Sequence, residues 1–108
     1  MPHAELKYST DLEIDAAAIL ADVEATIQAH DAGSGMCKGR AYPAAVFHHT
    51  HLIFEVSMLP KAHRDAAFMA ALLKDLEACI KSHINAPCAF SLSVSFSANT
   101  YVTNMHPG

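Results

Sequence analysis

A proline follows the first methionine, and Pro2 is the one residue whose backbone nitrogen could do chemistry. Removal of Met1, which a small second residue permits, turns that nitrogen into a free secondary amine. An ordinary α-amino group titrates near pH ~8. Burial in an apolar pocket, or a neighbouring Lys or Arg, disfavours the cation and lowers that value. The product is a neutral amine at physiological pH, able to take a proton and give it back. Proline at position 2 is common, so its meaning depends on what the rest of the chain sets around it.

Other residues invite chemistry less strongly. His48, His49 and His51 cluster in one short stretch. On a strand, His49 and His51 would share a face within reach of one ion. Zinc needs further ligands, and no Cys or acid stands at a zinc-site spacing, so a solvated loop or strand edge is the plainer reading. Cys37, Cys79 and Cys88 are odd in number and follow no zinc or redox pattern. They read as reduced thiols of a cytoplasmic protein, with Cys37 a buried structural thiol.

The elements that must position these residues follow from periodicity. His3 to Tyr8 alternate, with Ala4, Leu6 and Tyr8 on one face and His3, Glu5 and Lys7 on the other, which predicts a strand starting directly after Pro2. Thr10-Asp11-Leu12-Glu13 fits a capping box. A helix is expected from there to about His30, burying Ala16, Ile19, Leu20, Val23 and Ile27 and ending at Gly33-Ser34-Gly35. Met36 to Tyr42 (MCKGRAY) reads as a second strand stopped by Pro43. Leu52, Phe54, Val56 and Met58 mark the most deeply buried strand, closed by Pro60. A second helix is expected from about Ala62 to Ile84. Met69, Leu72, Leu73, Leu76 and Ile80 form its apolar stripe, with Arg64, Asp65, Lys74, Asp75, Glu77 and Lys81 on its wet side. Phe90, Leu92, Val94 and Phe96 alternate with Ser91, Ser93, Ser95 and Ser97, a strand whose polar face suits another layer or subunit better than bulk water. The tail from Asn99 reads as irregular.

Two strand-helix-strand units in succession predict right-handed crossovers and an α+β chain, a two-layer α/β sandwich with both helices on one face. The 108 residues amount to one domain, 1–108. A hydrophobic share of 52% is high for so short a chain and favours oligomerisation. A net charge of −4 with scattered Lys and Arg argues against nucleic acid and anionic lipid. The acidic N-terminus is no signal peptide, and no apolar run approaches the ~18 residues of a membrane span.

The opening Met-Pro-His, the order of elements, Arg40 within MCKGRAY, and the ending AFSLSVSF followed by TNMH together resemble the 5-carboxymethyl-2-hydroxymuconate isomerase family of the tautomerase superfamily. The resemblance implies a cofactor-free, metal-free isomerase of aromatic-compound catabolism, built as a homotrimer with active sites near subunit contacts. Its substrate would be an unsaturated oxo-acid such as 5-carboxymethyl-2-hydroxymuconate. Pro2 matches the family's general base and acid. Arg40 matches an arginine that binds the substrate carboxylate or stabilises its enolate. A second family arginine stands in a Gly-Arg-Ser turn before the second helix. Here the turn reads Leu59-Pro60-Lys61-Ala62, so Lys61 is the nearest match, and a lysine's point charge does not replace an arginine's planar fork. The Asp-Gly turn before the third strand is replaced by His48-His49-Thr50-His51. His3 either lines the pocket mouth or simply alternates outward. Two other classes stay open: a non-catalytic oligomeric binding protein on the same scaffold, and a metal-binding module using the His48-His51 cluster.

Overall fold

The computed structural model describes residues 1–108. Four strands form: β1 (His3–Ser9), β2 (Lys38–Ala44), β3 (His51–Met58) and β4 (Ala89–Phe96). Two helices, α1 (Ala16–His30) and α2 (Ala66–Lys81), connect β1 to β2 and β3 to β4. The strands make one sheet in the order β2-β1-β3-β4. Both β1–β2 and β3–β4 are parallel, and β1–β3, at the centre, is antiparallel. Two β-α-β units therefore meet back to back, as the sequence order predicts.

Alternation decides which face is covered. Ala4 and Leu6 of β1 and Leu52, Phe54, Val56 and Met58 of β3 are buried together with Ile19, Val23 and Ile27 of α1 and Leu72, Leu76 and Ile80 of α2. The intervening strand residues form the other, open face: Glu5 and Lys7, Glu55, and the exposed Ser91, Ser93 and Ser95 of β4. Lys7 sits 3.9 Å from both Glu5 and Glu55 there. Such half-exposed pairs contribute only about 0–1 kcal/mol, so they mark the face more than they hold it. On the covered side, two His–Asp contacts of 2.7 Å join the helical layer: His30 with Asp75, and His83 with Asp22.

Several boundaries depart from the sequence expectation, each for a local reason. Thr10-Asp11-Leu12-Glu13 does not cap α1. The Thr10 amide donates to Ala44 O at 3.1 Å, Leu12 N closes a turn on Ser9 O at 3.0 Å, and Leu12 is drawn into the core. Asp15 is the cap instead, its carboxylate accepting from Ala18 N at 3.0 Å. Likewise α2 starts after Asp65, whose carboxylate accepts from Phe68 N at 2.9 Å. Arg64 therefore lies before the helix and is buried, not on a wet helical face. Pro43 does not stop β2 but lies within it, opposite Tyr8. β2 is an edge strand, where a missing N–H costs no ladder bond. Leu73 is 40% exposed and lies at the margin of the α2 stripe.

Phe54 lies fully buried on a central strand against both helices' apolar residues. Phe54→Ala should lower the unfolding free energy by about 3–5 kcal/mol through lost burial and a residual cavity. Urea denaturation followed by circular dichroism checks this. A loss of less than about 1 kcal/mol would mean that Phe54 does not centre the core.

Candidate active site

The start of the chain is built into the sheet. His3 pairs with Lys38 across the parallel ladder and with Ser57 across the antiparallel one. Lys38 N donates to Pro2 O at 2.9 Å, which clamps the backbone one residue ahead of β1. Pro2 falls in the register of Ala4 and Leu6, and its ring is fully buried. Continuing the β1–β3 pairing sets Pro2 level with the end of β3, directly before the Leu59–Asp65 turn. The other wall is the loop after α1, a single 3-10 turn over Ala32–Ser34 followed by Gly35 at φ 74°. A side chain at Gly35 would meet Met1 at 3.7 Å.

The electrostatics around the first residues disfavour a charged amine. The amine of Met1, the first in the chain, is held below the ordinary α-amino value, first by burial and then by Lys38, Lys61 and Arg64; only Cys37 opposes them weakly. Both causes act by disfavouring the cation. Lys61 thus stands beside the terminal amine. Lys38 and Arg64 join it, and neither was among the residues the sequence singled out. Lys38 Nζ also donates to Thr103 Oγ1 at 3.2 Å, so the C-terminal tail reaches this end of the sheet. The Cys37 thiol is pushed up to about 11, chiefly by burial, which keeps it protonated and unreactive.

Arg40 and His3 form a second group on the open face. Arg40 Nη1 donates to Glu5 Oε1 at 3.2 Å, and Nη2 donates to His3 Nδ1 at 2.8 Å and to Lys38 O at 3.1 Å. A guanidinium has no lone pair to offer, so His3 Nδ1 must be the acceptor and its ring the Nε2–H tautomer. The His3 pKa is lowered by burial first, then by Lys38, Arg40 and the terminal amine. These two side chains line an open cavity of about 300 Å³ together with Glu5, Glu55, Ser57 and Ser95. Glu5 and Glu55 make that cavity a poor host for a carboxylate while Arg40 remains engaged with Glu5. By alternation, then, Pro2 shares the register of Ala4 and Leu6 while His3 and Arg40 take the open face, and Lys38 acts on both the terminal amine and His3.

The histidines after β2 do not converge. His49 lies outside β3 with φ 65°, so it does not share a strand face with His51. The rings of His48 and His49 stack at 4.0 Å, and His51 Nδ1 donates to His49 O at 2.9 Å. No group of three or more His, Cys, Asp or Glu side chains is gathered where it could hold a metal ion.

The residue the sequence concealed most completely is Arg64. Its side chain is 2% exposed. Nε and Nη2 donate to Asp31 Oδ2 at 3.0 and 2.8 Å, and Nη1 donates to Leu59 O at 2.6 Å. His63 Nε2 reaches the same Asp31 oxygen at 2.9 Å. No local spacing announces a pair 33 positions apart. Lys38 did leave a signal: it stands two residues from Arg40 on one strand and therefore shares its face.

With the geometry in view, likeness to known proteins is confined to structure. No family model matches the chain, and no curated protein matches it. Two solved structures share its fold. A 5-carboxymethyl-2-hydroxymuconate delta-isomerase superposes with a TM-score of 0.81 at 15% identity, over 98% of this chain and 89% of that one. A 5-carboxymethyl-2-hydroxymuconate isomerase from Deinococcus radiodurans R1 gives 0.78 at 18%, over 96% and 90%. The α+β architecture is therefore that of solved structures carrying the isomerase name, the fold to which the sequence resemblance pointed.

Asp31 is held down to about 2 by the hydrogen bonds from His63 and Arg64. A carboxylate whose folded pKa lies below its unfolded value of ~3.9 stabilises fully above the latter and loses that contribution as pH falls towards about 2. Urea unfolding measured between pH ~5 and ~2 should show this loss. Asp31→Asn should flatten it, and an unchanged slope in that variant would contradict the assignment.

Proposed function

We propose that this chain is a cofactor-free isomerase that moves a proton along an unsaturated oxo-acid, with Pro2 as general base and acid once Met1 is removed. One observation carries the reading: the Pro2 ring is buried at the end of the sheet, and the Met1 amine that precedes it is held below its ordinary pKa by burial, Lys38, Lys61 and Arg64. The isomerase names of the two solved structures sharing this fold point to the same class of reaction.

The steps follow from charge. The neutral proline nitrogen takes the O–H proton of the enol acid, and the O–H electron pair is left on a dienolate. Lys61 and Lys38, positive before that charge develops, stabilise it without reorganising. The protonated amine then returns its proton to the far carbon of the conjugated system. The same cations that hold the dienolate keep the resting amine neutral, so one arrangement serves both tasks. No metal or cofactor enters. Arg40 is the carboxylate contact of this proposal, in a cavity on the open face; there a substrate carboxylate competes with Glu5 for the guanidinium. His3 orients that guanidinium by accepting from it.

A homotrimer belongs to the same proposal. The uncharged serine face of β4 is exposed beside the Arg40 cavity, and covering it with a second copy of the chain would enclose that cavity. Light scattering tests it. The substrate class is 5-carboxymethyl-2-hydroxymuconate or a related enol acid, and three unpaired cysteines suit the reducing cytoplasm as its place of work.

Mass spectrometry should find Met1 absent. Ketonisation of phenylenolpyruvate, a simple enol acid, should be catalysed by wild type and fall by about 10²–10⁴-fold in Pro2→Ala. Because the base must be uncharged, kcat/KM should fall as pH drops through the amine pKa, with a midpoint below the ordinary α-amino value of ~8. Arg40→Ala should raise KM for carboxylate substrates more than for neutral ones. Retained Met1, or full activity in Pro2→Ala, would leave a non-catalytic binding protein as the better description.

A further inference from the structure

A buried arginine is unusual in so small a core, and Arg64 spends its guanidinium away from any substrate. Two of its nitrogens donate to Asp31, which closes α1 by donating its own amide to Ile27 O at 2.9 Å. The third donates to Leu59 O, and the Arg64 amide donates to Lys61 O at 2.9 Å. Asp31 Oδ1 meanwhile accepts from Gly33 N at 3.2 Å, which orders the loop that runs on to Gly35 and Met1. One arginine and one aspartate thus tie the two loops flanking the chain's first residues to each other. Lys61 itself makes no side-chain hydrogen bond or ion pair, so its direction depends on the turn that carries it.

We propose that Arg64 is a positioning residue: with Asp31 it locks the Leu59–Arg64 turn onto the end of α1, so that Lys61 is held beside the N-terminal amine. Arg64 does not touch substrate. Its planar fork fits the task because two N–H groups converging on one Asp31 oxygen, with a third nitrogen on Leu59 O, fix direction as well as distance, which a lysine's point charge cannot do. Burial keeps the pair from being screened, and removing one partner would strand the other's charge. The proposal rests on the reading of the amine as the site, and it makes Lys61's placement, more than its mere presence, the quantity under control.

The two ways Asp31 could act on the amine have opposite signs. Acting only through its own negative charge, Asp31 favours the amine's cation, so Asp31→Asn would lower the amine's pKa. Acting through Arg64 and Lys61, its loss frees Lys61 to swing into water, and the pKa rises. The test is the pH dependence of N-terminal arylation by 4-chloro-7-nitrobenzofurazan, read by peptide mass spectrometry, in wild type, Asp31→Asn, Arg64→Lys, Lys61→Met and both doubles with Lys61→Met. Circular dichroism confirms folding of each. The expected result is severalfold slower labelling at pH 7 in Asp31→Asn, Arg64→Lys and Lys61→Met, with no further slowing in the doubles. Unchanged or faster labelling in folded Asp31→Asn or Arg64→Lys would overturn the proposal, as would full additivity in the doubles. Labelling needs no turnover and works on whichever amine begins the chain. A protein that fails to isomerise anything would therefore defeat the proposed function while leaving this test intact.

Discussion

The hydrogen bond from the Lys38 amide to the Pro2 carbonyl is the constraint on which the rest depends. Chain termini usually fray, because nothing repays the entropy of ordering them. Here the first residues are held by a parallel neighbour on one side and an antiparallel one on the other. The terminus becomes as fixed as a strand interior, and its proline ring is buried. A base must be held still to be aimed, and an amine must be sheltered to be neutral. The sheet supplies both conditions at one end.

Charge placement completes that design. Three cations approach the amine from two elements: Lys38 from β2, and Lys61 and Arg64 from the turn between β3 and α2. Gathering like charges around a buried amine costs stability, and Asp31 offsets part of that cost by neutralising Arg64 from the end of α1. The balance leaves Lys38 and Lys61 without carboxylate partners, so the region stays positive. Arg40 has the opposite arrangement. Glu5 and His3 hold it on the open face, on the side where β4 presents only small hydroxyls. Lys38, two residues from Arg40 on the same strand, links the two groups, since its charge acts on both the terminal amine and His3.

Much of this was legible because burial leaves a periodic trace. The period-two alternation of β1, β3 and β4 and the three-four spacing of both helices predict the sheet, its covered face and the two β-α-β units. The anchoring of Pro2 was legible because a strand was expected directly after it. The misread boundaries share a cause: capping depends on where the backbone's free amides end up. The Thr10 amide went to a strand partner, so Asp15 capped α1 in its place. Pro43 stayed in β2 because that strand is an edge, a fact of topology and not of local sequence. Arg64 was invisible for a stronger reason. Polar composition before a helix suggests solvent, and only the fold brings Asp31 to meet it. One expectation about the His48-His51 stretch failed: His49 and His51 were placed on one strand face, but His49 has left-handed backbone and lies outside β3.

The central claim is that the chain's first mature nitrogen is an amine whose pKa lies below the ordinary α-amino value. A titration of protein labelled with ¹⁵N-proline, followed through the Pro2 nitrogen by NMR, addresses it without assuming a substrate. The account predicts an amine resonance that titrates below the ordinary α-amino value of ~8. A midpoint at or above that value, or an amide resonance showing Met1 still attached, would contradict it.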